Sequence, residues 1–285
     1  MNLPDDLLQE LQNLIKQAQA FLPSIPPVPD WSNGKAFRWR LAGQHGYLET
    51  IRDLSKVRLS DLHGIERQKA EITRNTAQFV SGLPANNVLL TGARGTGKSS
   101  LIKALVNEFS DKGLRFIEVD KDLLFHLSDI VNQLADRNER FIIYCDDLSF
   151  NADDASYRAL KTALDGSLHA GSDNVLIYAT SNRRHLLPEY MSDNLASTVN
   201  SEGELQPSEA IEDKISLSDR FGLWLSFYPM NQETYLEIAA HWLQSYGLTL
   251  TDNARTAALQ WALGRGNRSG RSAAQFAKDW VGRQS

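Results

Sequence analysis

Residue type and spacing point most directly to chemistry in the run Val88 to Leu101, VLLTGARGTGKSSL. Gly92-Ala93-Arg94-Gly95-Thr96-Gly97-Lys98-Ser99 fits G-x-x-x-x-G-K-[ST], the pattern of a loop that wraps phosphates. A triphosphate carries several negative charges into a partly dry site, so the loop must aim backbone N–H groups inward. Gly92, Gly95 and Gly97 permit the backbone angles this needs. Lys98 is expected to place a point charge on the β and γ phosphates, and the Ser99 hydroxyl to be a ligand to Mg²⁺. Ala93, Arg94, Thr96 and Ser100 complete the residues expected around the phosphates, at the positive end of the helix that Leu101, Ile102, Leu105 and Val106 begin.

Two further clusters supply what hydrolysis would need. Phe141-Ile142-Ile143-Tyr144-Cys145 is a continuous apolar run ending at Asp146-Asp147, the form of a central parallel strand with carboxylates at its carboxyl end, where ligands bind in such sheets. Asp146 is expected to hold the Mg²⁺ ion, directly or through water, and Asp147 to orient or deprotonate the attacking water. The bland alternative is a turn aspartate capping a helix. Asn174 to Thr180 reads as a neighbouring buried strand, and Asn182 beyond it is either a turn residue or an amide that addresses the water or the γ phosphate.

These groups need a scaffold, and the chain is long enough for one. At 285 residues, 42% hydrophobic and 23% charged, it has the balance of an ordinary globular protein of about two domains. A formal net charge of −5 gives no general push toward nucleic acid or anionic membrane. The single Cys145 excludes an internal disulfide and fits a reducing compartment. Leu3 to Leu22 is interrupted by Asp5, Asp6, Glu10 and Lys16, which argues against a signal peptide or membrane span. The expected location is the cytoplasm, without membrane contact.

Before the loop, Leu7, Leu11, Leu14, Ala18 and Phe21 repeat at helical spacing, followed by the proline-rich spacer Pro23 to Pro29. Trp31 to Ile51 interleaves aromatics with bases, as in Phe37-Arg38-Trp39-Arg40. That mixture either stacks on single-stranded nucleic acid or docks as an arm, and with so few positive charges the docking arm is preferred. Glu66 to Val80, Leu123 to Leu134 and Asp153 to Leu168 read as helices, Leu114 to Val119 as a buried strand, and Leu225 to Tyr228 as an edge strand. Tyr190 to Asp213 reads as a long loop. Arg183, Arg184 and His185 form either a solvated basic turn or a contact between subunits. After Pro229 come three helical patterns, Glu233 to Tyr246, Asp252 to Leu263 and Ser269 to Val281, whose Trp242, Trp261 and Trp280 need one another or the sheet for burial.

The order of these features resembles the nucleotide site of AAA+ ATPases, closest to a bacterial branch of predicted AAA+ ATPases of unknown function. The resemblance runs from about Leu59 to the C-terminus. It rests on Gly92 to Ser99, Asp146-Asp147, Thr180-Ser181-Asn182, Ser218-Asp219-Arg220-Phe221-Gly222 and Gly270-Arg271. It implies an α/β P-loop NTPase three-layer sandwich with a five-stranded parallel sheet, a small C-terminal helical lid and an N-terminal helix and arm. The corresponding division is 1–55, 56–228 and 229–285.

The same resemblance implies ATP and Mg²⁺ as cofactors, and hydrolysis at the interface of a homo-oligomeric ring or arc coupled to remodelling or loading of an unidentified protein client or partner. Residue by residue, Asn182 matches the polar sensor and Arg220 the arginine finger that acts in a neighbouring subunit's site. His63, Gly64 and Ile65 match the adenine-pocket segment. Arg271 matches the lid arginine that touches nucleotide, with Arg268 one turn earlier as the alternative. Asp147 stands where most of the superfamily has glutamate, one methylene longer, and the aromatic pore loop of protein-threading motors is missing. Two further readings remain: an ATP-dependent assembly switch with little turnover, and a nucleic-acid remodeller or loader acting through Arg38 and Arg40.

Overall fold

The computed structural model describes residues 28–43, 45–150, 154–165, 173–183, 186, 198–199, 205–206 and 217–284, together with Gln9. The strands are β1 (Ala36–Ala42), β2 (His45–Thr50), β3 (Val88–Gly92), β4 (Leu114–Glu118), β5 (Arg140–Cys145), β6 (Val175–Ser181), β7 (Thr198–Val199), β8 (Leu205–Gln206) and β9 (Leu223–Phe227). The helices are α1 (Glu66–Val80), α2 (Lys98–Phe109), α3 (Leu127–Leu134), α4 (Ala155–Leu164), α5 (Gln232–Ser245), α6 (Asp252–Gly264) and α7 (Gly270–Gln284). The expected helix from Leu123 begins as 3₁₀ over Lys121–His126 and becomes regular at Leu127. The expected N-terminal amphipathic helix, nearly all of the proline-rich spacer and most of the loop between Tyr190 and Asp213 lie outside the described residues.

The main sheet has the order β2-β1-β4-β5-β6-β3-β9. Burial on both faces explains the continuous apolar strands, because successive side chains point to opposite sides. Ile142 and Tyr144 of β5, with Val88 and Leu90 of β3, enter one core with Ile72, Phe79, Leu101, Ile102 and Leu105 of α1 and α2. Phe141, Ile143, Cys145 and Leu89 enter the other, with Ile130 and Leu134 of α3 and Tyr157 and Leu160 of α4. Helix, sheet and helix give the expected three layers.

The expected strand count of five is corrected to seven. β4, β5, β6, β3 and β9 are the expected parallel set. β1 extends it by pairing parallel with β4, Ala36 opposite Phe116, and β2 returns antiparallel on β1. The segment expected to dock as an arm is thus bonded into the sheet. Phe37 and Trp39 turn into the core while the alternating bases face outward: Arg38 donates to Glu118 Oε2 at 2.6 Å and Arg40 to Glu49 Oε2 at 3.2 Å.

Three helices after Pro229 build a separate small core. Tyr235, Leu236, Ile238, Ala239 and Leu243 of α5 meet Ala254, Ala258 and Ala262 of α6 and Ala273, Phe276 and Ala277 of α7, and the alanines allow close approach. Trp242, Trp261 and Trp280 pack at its margin. Asn231 and Thr251 cap α5 and α6 by accepting from Thr234 N and Ala254 N.

The hairpin makes the fold testable at one position. A Cβ on Gly46 would lie 1.8 Å from Cζ2 of Trp39, itself 1% exposed. Overpacking of this kind costs about 1–3 kcal/mol. Gly46→Ala should therefore lower the thermal unfolding midpoint, and an unchanged midpoint would show that the hairpin is not part of the cooperative core.

Candidate functional site

A cavity of about 470 Å³ opens at the carboxyl ends of β3, β5 and β6, between the sheet and the three-helix unit. The phosphate loop lines it from Arg94 to Ser99, whereas the expected Gly92 and Ala93 are not among its lining residues. Gly92 ends β3 where β9 runs alongside, and a Cβ there would lie 2.0 Å from the Phe227 carbonyl oxygen, so no larger residue fits. Gly95, at φ +78°, sits at the tip, where its carbonyl accepts a hydrogen bond of 3.0 Å from Gly270 N at the start of α7. The lid thus touches the loop backbone to backbone.

Lys98 opens α2 and turns back beneath the loop, only 5% exposed. Its ammonium donates to Gly92 O at 2.7 Å, Ala93 O at 2.9 Å and Asn182 Oδ1 at 3.1 Å. All three acceptors are neutral. Burial pulls the Lys98 pKa below its usual value, against the opposing pull of Asp146 and Asp147.

The two carboxylates after β5 occupy different environments. Asp146 Oδ1 accepts from Ser99 Oγ at 2.8 Å and from Thr180 Oγ1 at 2.5 Å. Burial works to raise its pKa, but the hydroxyls of Thr180, Tyr144 and Ser99, with the charge of Lys103, outweigh it and hold the group below its ordinary value. Asp147 is half exposed and takes the left-handed conformation, φ +54°, alone among the described residues other than glycine. Its backbone N–H donates to Thr180 Oγ1 at 2.9 Å, and its side chain accepts from Asn182 Nδ2 at 2.5 Å. Arg94 Nη2 stands 3.7 Å from its other oxygen.

Most of the remaining sequence-predicted residues gather here as well. Thr96, Gly97, Ser100, His63 and Ile65 line the cavity. Gly64, between the last two, packs against the lid instead: a Cβ there would meet Thr234 Cγ2 at 2.3 Å. Arg271 lines the cavity, whereas Arg268 is not among its lining residues. Arg220 is not brought to this cavity; it is bonded to Asp165 of the same chain. Of the basic turn, Arg183 is exposed, and Arg184 and His185 lie outside the described residues.

Sequence reasoning included Thr180 in the motif Thr180-Ser181-Asn182 but gave it no role, although the register pairs Cys145 with Ala179 and so sets Thr180 beside Asp146. It also missed Met230, Ile238 and Trp242, which the lid contributes to the cavity wall. The helical spacing of Ile238 and Trp242 reads as ordinary core packing, and Met230 lies just before that helix.

The residues fit Mg²⁺ and a triphosphate. A hydroxyl and a carboxylate, Ser99 and Asp146, give the oxygen-only pair that Mg²⁺ accepts when phosphates complete its shell. Among the described residues there is no cluster of three or more His, Cys, Asp or Glu that would bind a metal unaided.

A phosphate loop after β3, the parallel order β4-β5-β6-β3-β9 and a helical lid give the P-loop NTPase fold in its AAA+ form, and known structures share that fold. A point mutant of RuvB from Thermotoga maritima superposes with a TM-score of 0.52 at 18% identity, covering 79% of this chain and 65% of that one. The replication initiator DnaA bound to AMPPCP and single-stranded DNA gives 0.52 and 18%, over 78% and 64%. The Aeropyrum pernix ORC1 protein in complex with DNA gives 0.50 and 13%, over 76% and 61%. The chain spans less than two thirds of the length of each of these neighbours. Residues 32–284 match the model of the family described as "Protein of unknown function (DUF815)", and the chain belongs to that family. No curated protein matches it.

Gly95 offers a test of the loop–lid contact. A Cβ there would lie 2.7 Å from Ser269 Cβ and would have to adopt φ +78°. Strain of this order costs about 1–3 kcal/mol. Gly95→Ala should lower thermal stability and weaken nucleotide binding, measured by calorimetry, and wild-type values for both would remove the contact from the site.

Proposed function

We propose that the protein binds Mg²⁺-ATP in this cavity and hydrolyses it as an AAA+ ATPase. The observation that carries the reading is the Lys98 ammonium, buried under a glycine loop and hydrogen-bonded only to neutral acceptors. A dry cation is costly unless an anion joins it, and the loop's left-handed glycines prepare the neighbouring amides for phosphate. Ser99 and Asp146 would hold Mg²⁺, which when bound neutralises charge on the phosphate oxygens. Asp147, steadied by Asn182, orients the attacking water and accepts its proton. His63, Ile65, Ile238 and Trp242 receive the base, and Arg271 reaches the nucleotide from the lid.

Arg220 acts in a neighbouring copy. Its guanidinium is tied to Asp165 in the isolated chain and must be released when subunits meet. The protein then works as a homo-oligomeric ring or arc whose hydrolysis moves the lid against a protein client. The buried thiol of Cys145 fits a cytoplasmic protein, and among the described residues no helix is long and apolar enough to cross a membrane.

Two observations bear on the alternatives. Asp147 is already engaged by Asn182 and Arg94, which favours, as second reading, an assembly switch that turns over slowly. The nucleic-acid loader is disfavoured although two of the structural neighbours carry DNA, because Arg38 and Arg40 spend their charge on Glu118 and Glu49.

Phosphate release and solution sizing, with and without ATP, test the proposal. Lys98→Ala should abolish release, and wild-type release per chain should rise with protein concentration. Arg220→Ala, which loses the concentration-dependent part of the rate, and Lys98→Ala, inactive alone, should regain part of that rate when mixed, since each mixed interface joins one intact cradle to one intact finger. Failure to complement removes the finger. Wild type that binds ATP yet releases phosphate no faster than Lys98→Ala at any concentration establishes the switch.

A further inference from the structure

One cation in the cavity stands beside the acid that addresses the water. Arg94, the third residue of the phosphate loop, is 79% exposed, and its sole ion pair among the described residues is the 3.7 Å approach to Asp147 Oδ2. Lys98, the other cation of the loop, is fixed elsewhere, on Gly92 O, Ala93 O and Asn182 Oδ1. Arg94 therefore brings positive charge to the carboxylate that addresses the water.

That placement is informative under the ATP reading, on which this inference rests. The attacking water must lie between Asp147 and the γ phosphorus, so a guanidinium beside Asp147 stands at the γ end of the cradle. An exposed pair at this spacing is weak, and little holds Arg94 to the carboxylate once a more highly charged group arrives. Its planar fork can address a carboxylate and a phosphate oxygen together, which an ammonium cannot do. In the isolated chain Arg220 is bonded to Asp165, outside this cavity. The chain nevertheless carries a guanidinium of its own at the place where one is needed.

We propose that Arg94 supplies, from the chain's own phosphate loop, the positive charge that stabilises the γ phosphate during hydrolysis, giving a basal turnover that needs no neighbouring subunit. In that step the water oxygen bonds to the γ phosphorus while the bond from phosphorus to the β–γ bridging oxygen breaks. ADP leaves with the electron pair, and the water proton passes to Asp147 and then to solvent. Arg94 contributes charge only, and the products are ADP, inorganic phosphate and one proton.

The test uses the full chain at dilute concentration, where assembly does not contribute. Arg94→Ala and Arg94→Gln should lower kcat by at least about tenfold, the scale on which removal of one charge-stabilising donor is felt, while KM for ATP changes less than about twofold. Binding of ADP with aluminium fluoride, which mimics the transferring phosphoryl group, should weaken by a similar factor, with ADP binding unchanged. Arg67→Ala, at an exposed arginine of α1 outside the cavity, should keep the wild-type rate. A mixture of Arg94→Ala with Lys98→Ala should show no more than the summed rates of the two variants measured apart, because each chain then lacks one part of the same cradle. Unchanged kcat in Arg94→Ala, or recovery of rate in that mixture, overturns the proposal while leaving the ATPase reading intact. Absence of phosphate release by wild type overturns both, and ATP binding then separates a switch from a protein that takes no nucleotide.

Discussion

A single buried ammonium sets the terms for the rest of the molecule. Keeping Lys98 charged and nearly dry requires acceptors on several sides, and the fold provides them from separate elements: the carbonyls of Gly92 and Ala93 where β3 ends, and the Asn182 amide just past β6. Those two strands are hydrogen-bonded neighbours, with Thr91 opposite Ser181. The amide arrives beside the loop because the sheet delivers it there. A parallel sheet buried on both faces does so reliably, since slipping a strand by one residue would exchange its entire set of core and counter-core side chains.

The adjacent carboxylates show how environment divides labour between like residues. Asp146 continues the line of β5 inward and takes hydroxyl bonds from α2 and β6, which secure it in the charged form suited to a cation. Asp147 turns outward through a left-handed backbone and is held at its amide by the same Thr180 hydroxyl that donates to Asp146. One side chain on β6 therefore fixes the relative placement of both acids. A glutamate in place of Asp147 would reach one methylene further; here the strained backbone and the Asn182 bond hold the shorter acid at the cavity mouth.

The centre of this arrangement was legible in the sequence because it is local. The glycine loop, the apolar strand ending in paired acids and the three helical patterns of the lid each rest on neighbouring residues. Contacts between distant segments were not legible. The docking arm became two strands because Phe37 and Trp39 find a core and Arg38 finds Glu118 on β4, 80 positions away in sequence. A run of alternating aromatics and bases does not announce that partner. The same limit explains Arg220, whose motif could be read while its bond to Asp165 could not, and the lid's Ile238 and Trp242, whose spacing describes a helix face without saying what it covers.

The contact between Gly95 and Gly270 then bears on how a nucleotide would be felt beyond its own cavity. Because a backbone carbonyl at the loop tip accepts from the first residue of α7, the loop cannot reorganise around phosphate without changing the bond that seats the lid. α7 and α5 share one core that includes Phe276 and Tyr235, so a shift at Gly270 is carried by a close-packed unit rather than absorbed by a hinge. On the proposed reading, Lys98 and Gly95 answer to the same anion from opposite ends of one loop, the first through charge and the second through backbone geometry. Nucleotide state would therefore be converted into lid angle through main chain that glycine alone can form, and the glycines serve transmission as much as binding.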